Sequence, residues 1–237
     1  MRDLSQINTE LGNRFSQHLF ALNSDITPAE SRTLWLDIAA HYNEIQRAYH
    51  SLRHIQQLFF QFEHIRQHFH QPHIIALALY YHDVIYNPMR SDNELKSAEY
   101  MSDKLAQYLN DQQCQHIYDL IMMTATHQLT ELADKDNRSD AAYFLDMDLS
   151  ILGMPWPEYE HYAQAIRQEY AHVPMADYKT GRTQVLQTLL AHSRLYLTEH
   201  YQQLETQARA NIACEINLLH ASGQTTHSPA ALGANYD

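Results

Sequence analysis

An adjacent histidine and aspartate, His82 and Asp83, close an apolar run that contains Leu77, Ala78, Leu79 and Tyr81, where a buried helix would otherwise simply continue. Imidazole and carboxylate are both metal ligands, and a mixed nitrogen and oxygen set suits a divalent first-row ion. A lone pair of this kind is as readily satisfied by neighbouring backbone, so its company decides the reading. Upstream, the stretch from Ala48 to Ile55 supplies His50 and His54. Downstream, the stretch from Tyr143 to Gly153 supplies Asp146 and Asp148. Two of these imidazoles with two of these carboxylates would formally neutralise such an ion and leave about two octahedral positions for water and a substrate oxygen. That arrangement is suited to hydrolysis.

These residues must be carried by helices. Leu4, Ile7, Leu11, Phe15, Leu19 and Leu22 recur at threes and fours, which puts them on one helical face over about 4–22. Thr27 followed by Pro28 reads as an N-cap and first helical position. The polar run 43–47 reads as the frayed end of that helix. From Ser51, the positions Leu52, Ile55, Leu58, Phe59, Phe62 and Ile65 form a further amphipathic helix. If it runs through His50, then His50 and His54 share a face, and the apolar stripe slightly favours His54 as the inward residue. Pro72 opens the helix that delivers His82 and Asp83. Further helices are expected over 93–109, 116–127, 141–152, from Trp156 to about Tyr170, from Gly181 through Leu195, and over 208–219. Gly153 reads as a C-cap. Asp146 and Asp148 lie two apart and so point roughly opposite ways on a helix, which leaves one of them as the ligand. Two acids in so apolar a segment call for a cation nearby.

Three more side chains could handle phosphate. His127, at the end of its helix, either interacts with the helix dipole or holds a phosphate or second metal. Arg167 and Arg182 offer guanidinium groups that match phosphate oxygens at two points, unless they are spent on internal ion pairs.

The order His, His-Asp, Asp, each inside a helical pattern, resembles the HD superfamily of metal-dependent phosphohydrolases. The segments YHSLRHI, YYHDVIYNP, DNELKSA, LDMDLSILG and IRQEYAHVP look like its branch of predicted metal-dependent phosphohydrolases, over about residues 30–215. The resemblance implies an HD-domain-like helical bundle with extra flanking helices and a metal held by His54, His82, Asp83 and Asp148. Tyr49 to His54 is similar to the YHNxxH segment of cyclic nucleotide phosphodiesterases, which implies His54 as ligand and His50 as proton donor, with Ser51 replacing the asparagine. Glu94 stands where relatives keep an acidic residue, implying a base or water-orienting role. Asn93 stands where many relatives have a histidine, which leaves one metal or two open.

Composition narrows the class. The chain has 237 residues with 5 glycines and 7 prolines, and 45% of it is hydrophobic, which favours long helices over strands. An all-α domain over 1–220 of about eight to ten helices is expected, with 221–237 a disordered tail. With 28 acidic and 16 basic residues the net charge is −12, which disfavours a nucleic-acid polymer as partner. Cys114 and Cys214 form no CxxC, and neither signal peptide nor membrane span is evident, so a cytoplasmic protein without a membrane partner is expected. The expected function is a metal-dependent phosphohydrolase acting on a small phosphorylated metabolite or nucleotide through a metal-activated water. The cofactor would be manganese, iron, cobalt, nickel or magnesium. The alternative is a non-catalytic metal- or ligand-binding helical protein.

Overall fold

The computed structural model describes residues 3–129 and 134–221. Among these residues all regular structure is helical: α1 (Leu4–Leu22), α2 (Pro28–Tyr42), α3 (Leu52–Ile65), α4 (Pro72–Tyr81), α5 (Asn93–Leu105), α6 (Asp111–Thr124), α7 (Lys135–Leu149), α8 (Trp156–Glu169), α9 (Met175–Ala191), α10 (Glu199–Gln202) and α11 (Glu205–Ala221), with short 3-10 turns at Arg66–His68 and Ser150–Gly153. The chain is all-α. The eleventh helix relative to expectation is the single turn α10. The stretch from 222 onward, expected to be a disordered tail, lies outside the described residues.

Helix α4 is the hub. Every residue from Ile74 to Tyr81 is buried, and the helix packs against α1, α3, α5, α6 and α7. A helix that is apolar all round must sit inside, since full burial of each large aliphatic side chain contributes roughly 1.5–3 kcal/mol. Asp140 of α7 fixes where α4 begins, accepting the backbone N–H groups of His70 and Gln71 at 2.9 and 2.7 Å. Around the hub, α1 buries Ile7, Leu11, Phe15 and Leu19, the face its spacing predicts. Thr27 and Glu30 form a reciprocal capping box at the start of α2.

Several boundaries differ from the pattern reading. Ser51 is extended (φ −126°, ψ 176°) and α3 starts at Leu52, so His50 precedes the helix and does not share its face with His54. The segment 43–51 is a compact turn around a buried Arg47, not a frayed end. Helix α6 begins at Asp111, where Asn110 and Gln113 form a capping box that the apolar pattern could not register, and it stops at Thr124. Helix α9 starts at Met175, well before Gly181, and Leu195 lies beyond it. Gly153 has no positive φ and is no left-handed cap. It is there because a Cβ would fall 2.5 Å from Leu204 Cβ and 3.1 Å from Leu204 O, so α11 approaches only if this position lacks a side chain.

Candidate metal centre and its cavity

Three elements bring His54, His82 and Asp148 together: the first turns of α3, the residue closing α4, and the last turn of α7. Their ligand atoms form a nearly equilateral triangle. His54 Nε2 and His82 Nε2 are 3.4 Å apart, and each lies 3.5 Å from Asp148 Oδ1. Donor atoms about 2.1 Å from a shared first-row ion are about 3.0 Å apart at octahedral angles and about 3.4 Å apart at tetrahedral ones, so the triangle is of a size to seat a metal. Both imidazoles are almost fully buried. The His82 ring is oriented by Leu79 O, which lies 3.0 Å from Nδ1. A carbonyl only accepts, so Nδ1 carries a hydrogen and Nε2 is the nitrogen turned toward the cluster.

Asp83 stands at the rim of this group. Its Oδ2 lies 3.0 Å from His82 Nε2 and 4.0 Å from His54 Nε2, while the donor atoms that lie mutually within 4.8 Å belong to His54, His82 and Asp148. His127 engages the second oxygen of Asp148, with Nε2 3.0 Å from Oδ2. It is the one described non-glycine residue at positive φ (50°), a left-handed conformation that an ordinary side chain adopts at some cost. Of the two aspartates in α7, Asp148 faces the imidazoles. Asp146 turns the other way and accepts the N–H groups of Leu197 and Thr198 at 2.7 and 2.8 Å and the Thr198 hydroxyl at 2.6 Å. It anchors the segment leading into α10.

His50 sits beside the cluster on its own support. Glu169, buried at the end of α8, accepts the backbone N–H groups of Ala48, Tyr49 and His50 through Oε1 at 2.8–2.9 Å. Its Oε2 lies 2.8 Å from His50 Nδ1, leaving Nε2 3.8 Å from Asp83 Oδ2. Tyr86 stacks on the His50 ring, centroids 4.0 Å apart and planes 28° apart. The Arg47 guanidinium spans the turn, donating to Asp83 O at 2.7 Å, Val84 O at 2.8 Å and His50 O at 3.3 Å. Arg47 thereby fixes the spacing between the turn that holds His50 and the segment that holds Asp83. Neither Glu169 nor Arg47 stood out in the sequence. The one available signal was that each is charged within an otherwise structured, partly apolar neighbourhood.

Burial, Asp83, Asp148 and the histidines act on one another here. Burial opposes charge on His82, but Asp83 and Asp148 outweigh it and hold its pKa well above the usual imidazole value. Burial prevails at His54 and lowers it. Burial would raise Asp83 and Asp148, yet the histidines around them, His82 foremost, hold both carboxyls below the usual range. At His50, burial is outweighed by Asp83 and Glu169, and the pKa rises. Protons are thus shared within the cluster, and a divalent ion entering it would displace one. Glu94 differs: its burial, with Asp83 adding, raises its carboxyl.

His50, Asp83, Glu94, His127 and Asp148 all line one cavity of about 580 Å3, together with Arg182. The volume is in the range of small-molecule sites, ~300–1,000 Å3. The two arginines expected at phosphate are engaged elsewhere. Arg182 meets Glu215 at 2.8 and 3.0 Å, two parallel bonds of a charge-neutral pair. Arg167 does not line this cavity; it donates to the carbonyls of Tyr170 and Val173 and lies over the Tyr178 ring. Asn93 exchanges side-chain bonds with the backbone of Asn87, 2.9 and 3.1 Å.

Comparison of the chain with family models, with curated proteins and with solved structures returns no match. The cluster could hold a metal, and no described helix is long and apolar enough to cross a membrane.

Proposed function

We propose that the chain is a metal-dependent phosphohydrolase of the HD type, acting on a small phosphorylated metabolite or nucleotide. The observation that carries this reading is the meeting of His54, His82 and Asp148 beside a cavity that also receives His50 and Glu94. His54, His82 and Asp148 would hold the ion, with Asp83 at its edge. When bound, manganese, iron, cobalt, nickel or magnesium supplies Lewis acidity toward a phosphoryl oxygen and acidifies water.

The remaining work belongs to the chain. Glu94, whose raised pKa suits a proton acceptor, takes a proton from the attacking water as the water oxygen bonds to phosphorus. The bond from phosphorus to the leaving oxygen breaks, and that oxygen receives a proton from His50. Asp83 and Glu169 keep His50 charged, and Glu169 aims it. His127 holds the second oxygen of Asp148, the kind of outer contact that fixes a ligand's orientation.

A non-catalytic metal-binding reading draws on Asn93, which is tied to Asn87 where many HD proteins use a histidine. One experiment separates the two. The protein, supplied with manganese, cobalt or magnesium, is assayed against a panel of phosphate esters and nucleotides beside Glu94→Gln. Metal-dependent hydrolysis is expected, and the variant should lose roughly a hundredfold in turnover at unchanged metal content. Absence of hydrolysis above the His54→Ala background would leave the binding protein as the better reading.

A further inference from the structure

A second chamber adjoins the first. It measures about 420 Å3 and is walled by Tyr86, Tyr162, Tyr170 and Tyr178, with Ile166 and Val173. The two chambers share His50, Tyr86, Tyr162, Arg182 and Val185. His50 therefore borders both.

The walls are held in place from behind. Tyr86 lies against His50, and the Arg167 guanidinium sits 4.6 Å from the centre of the Tyr178 ring. Because Arg167 also binds the carbonyls of Tyr170 and Val173, it fixes three parts of the wall at once. Tyr162 packs edgewise on Tyr49 and Tyr159, centroids 4.7 and 5.6 Å away. Rings already ordered in the free protein lose little entropy when a flat partner enters.

The charge of the chamber limits what it can take. The one guanidinium lining it, Arg182, is neutralised by Glu215, the charge on His50 is met by Glu169, and Asp177 adds a carboxylate. Such a chamber repels a second phosphate and offers nothing bidentate to one. Tyrosine faces favour a planar π system, through stacking and edge contacts.

We propose that this chamber receives the leaving group of the substrate, and that the leaving group carries a planar aromatic ring, as a nucleoside or an aryl alcohol does. The assignment of the ring to the leaving group rests on the phosphohydrolase reading: the oxygen that takes the His50 proton must lie beside His50, so whatever that oxygen carries extends toward the tyrosines. Hydrolysis then yields inorganic phosphate in the first chamber and the ring-bearing alcohol in the second. Binding of the ring by itself does not depend on that reading.

The test uses the full chain loaded with manganese. Binding of adenosine, of phenol and of ribose, none carrying phosphate, is followed by saturation-transfer NMR and calorimetry, in the wild type, Tyr170→Ala and Tyr170→Phe. At least one ring compound should bind and ribose should not. Tyr170→Ala should weaken ring binding roughly tenfold and Tyr170→Phe should retain it. A preference for adenosine points to a nucleotide source and a preference for phenol to an aryl phosphate. In a parallel assay, the ratio of kcat/KM for AMP or phenyl phosphate to that for ribose 5-phosphate should fall in Tyr170→Ala. Ring binding that requires Tyr170, without turnover of any ester, would keep the chamber and remove the phosphohydrolase. Hydrolysis with no ring preference, and ring compounds that bind no better than ribose, would overturn the chamber.

Discussion

Glu169 grips His50 twice, by its ring at 2.8 Å and by its backbone N–H at 2.9 Å. A buried carboxylate thus sets the position of the imidazole and, together with Asp83, favours its charged form. Glu169→Gln keeps the shape and one acceptor but removes the charge that favours protonated His50. Turnover of a phosphate ester should fall by about tenfold to a hundredfold, with metal content unchanged by elemental analysis. Equal turnover in the variant would mean that His50 gives up no proton in the reaction.

The two aspartates of α7 should separate cleanly. Asp148→Ala should reduce bound metal to background in protein purified without chelator. Asp146→Ala should keep its metal when folded but lose about 1–3 kcal/mol in urea denaturation, because three donors around residues 197 and 198 lose their acceptor. Metal loss in the Asp146 variant with Asp148 intact would reverse the assignment.

Away from the cavity, His18 gives the fold a pH dependence. Burial first, then the neighbouring His73, Arg66 and Arg14, lower its pKa to about 3 from an ordinary 6.5. Its ring packs on Phe62 and meets His73 at 3.0 Å between Nδ1 atoms. Between those two pKa values the unfolded chain binds a proton that the native state refuses. The contribution is therefore complete above pH 6.5 and is lost as pH falls, at up to about 1.4 kcal/mol per pH unit. Urea titrations at pH 7 and pH 5 should show a smaller loss for His18→Phe than for the wild type; identical losses would place the effect in other groups.

Gly153→Ala probes the contact between the 3-10 turn Ser150–Gly153 and Leu204, the residue before α11. The added methyl meets Leu204 Cβ at 2.5 Å, a group too close to its own backbone to swing aside. Destabilisation of about 1–3 kcal/mol is expected in thermal or urea unfolding. A neutral result would show that α11 can retreat without cost.

The helices were legible where side-chain period and capping chemistry agree, as in α1, whose apolar residues recur on one face, and α2, where Thr27 and Pro28 announce the start. That His54, His82 and Asp148 belong together was legible from their order along the chain and from the resemblance to HD proteins, and the structure brings the three within metal-binding distance. What escaped was carried by contacts between residues remote in sequence. Glu169 reads as an ordinary surface acid next to Arg167, yet it serves a turn 119 residues earlier, and Arg167 serves aromatic rings instead of phosphate. Whether α3 runs through His50 could not be read, because Ser51 is extended and an extended residue leaves no trace in hydrophobic period. Helical period could not tell Asp146 from Asp148, since it does not say which side of α7 faces residues 197 and 198; only the resemblance favoured Asp148.

The anchoring of Asp146 also determines how α7 can tolerate changes in length. With one carboxylate clamped to residues 197 and 198 and the other turned to the imidazoles, the C-terminal end of this helix has no rotational freedom. Each residue of an α-helix advances about 100° around the axis, so a one-residue insertion must be absorbed upstream of Asp146 or it uncouples the two aspartates. The helix is thus indexed from its C-terminal end, and its N-terminal turns, from Lys135 toward Arg138, are where length can vary without disturbing chemistry.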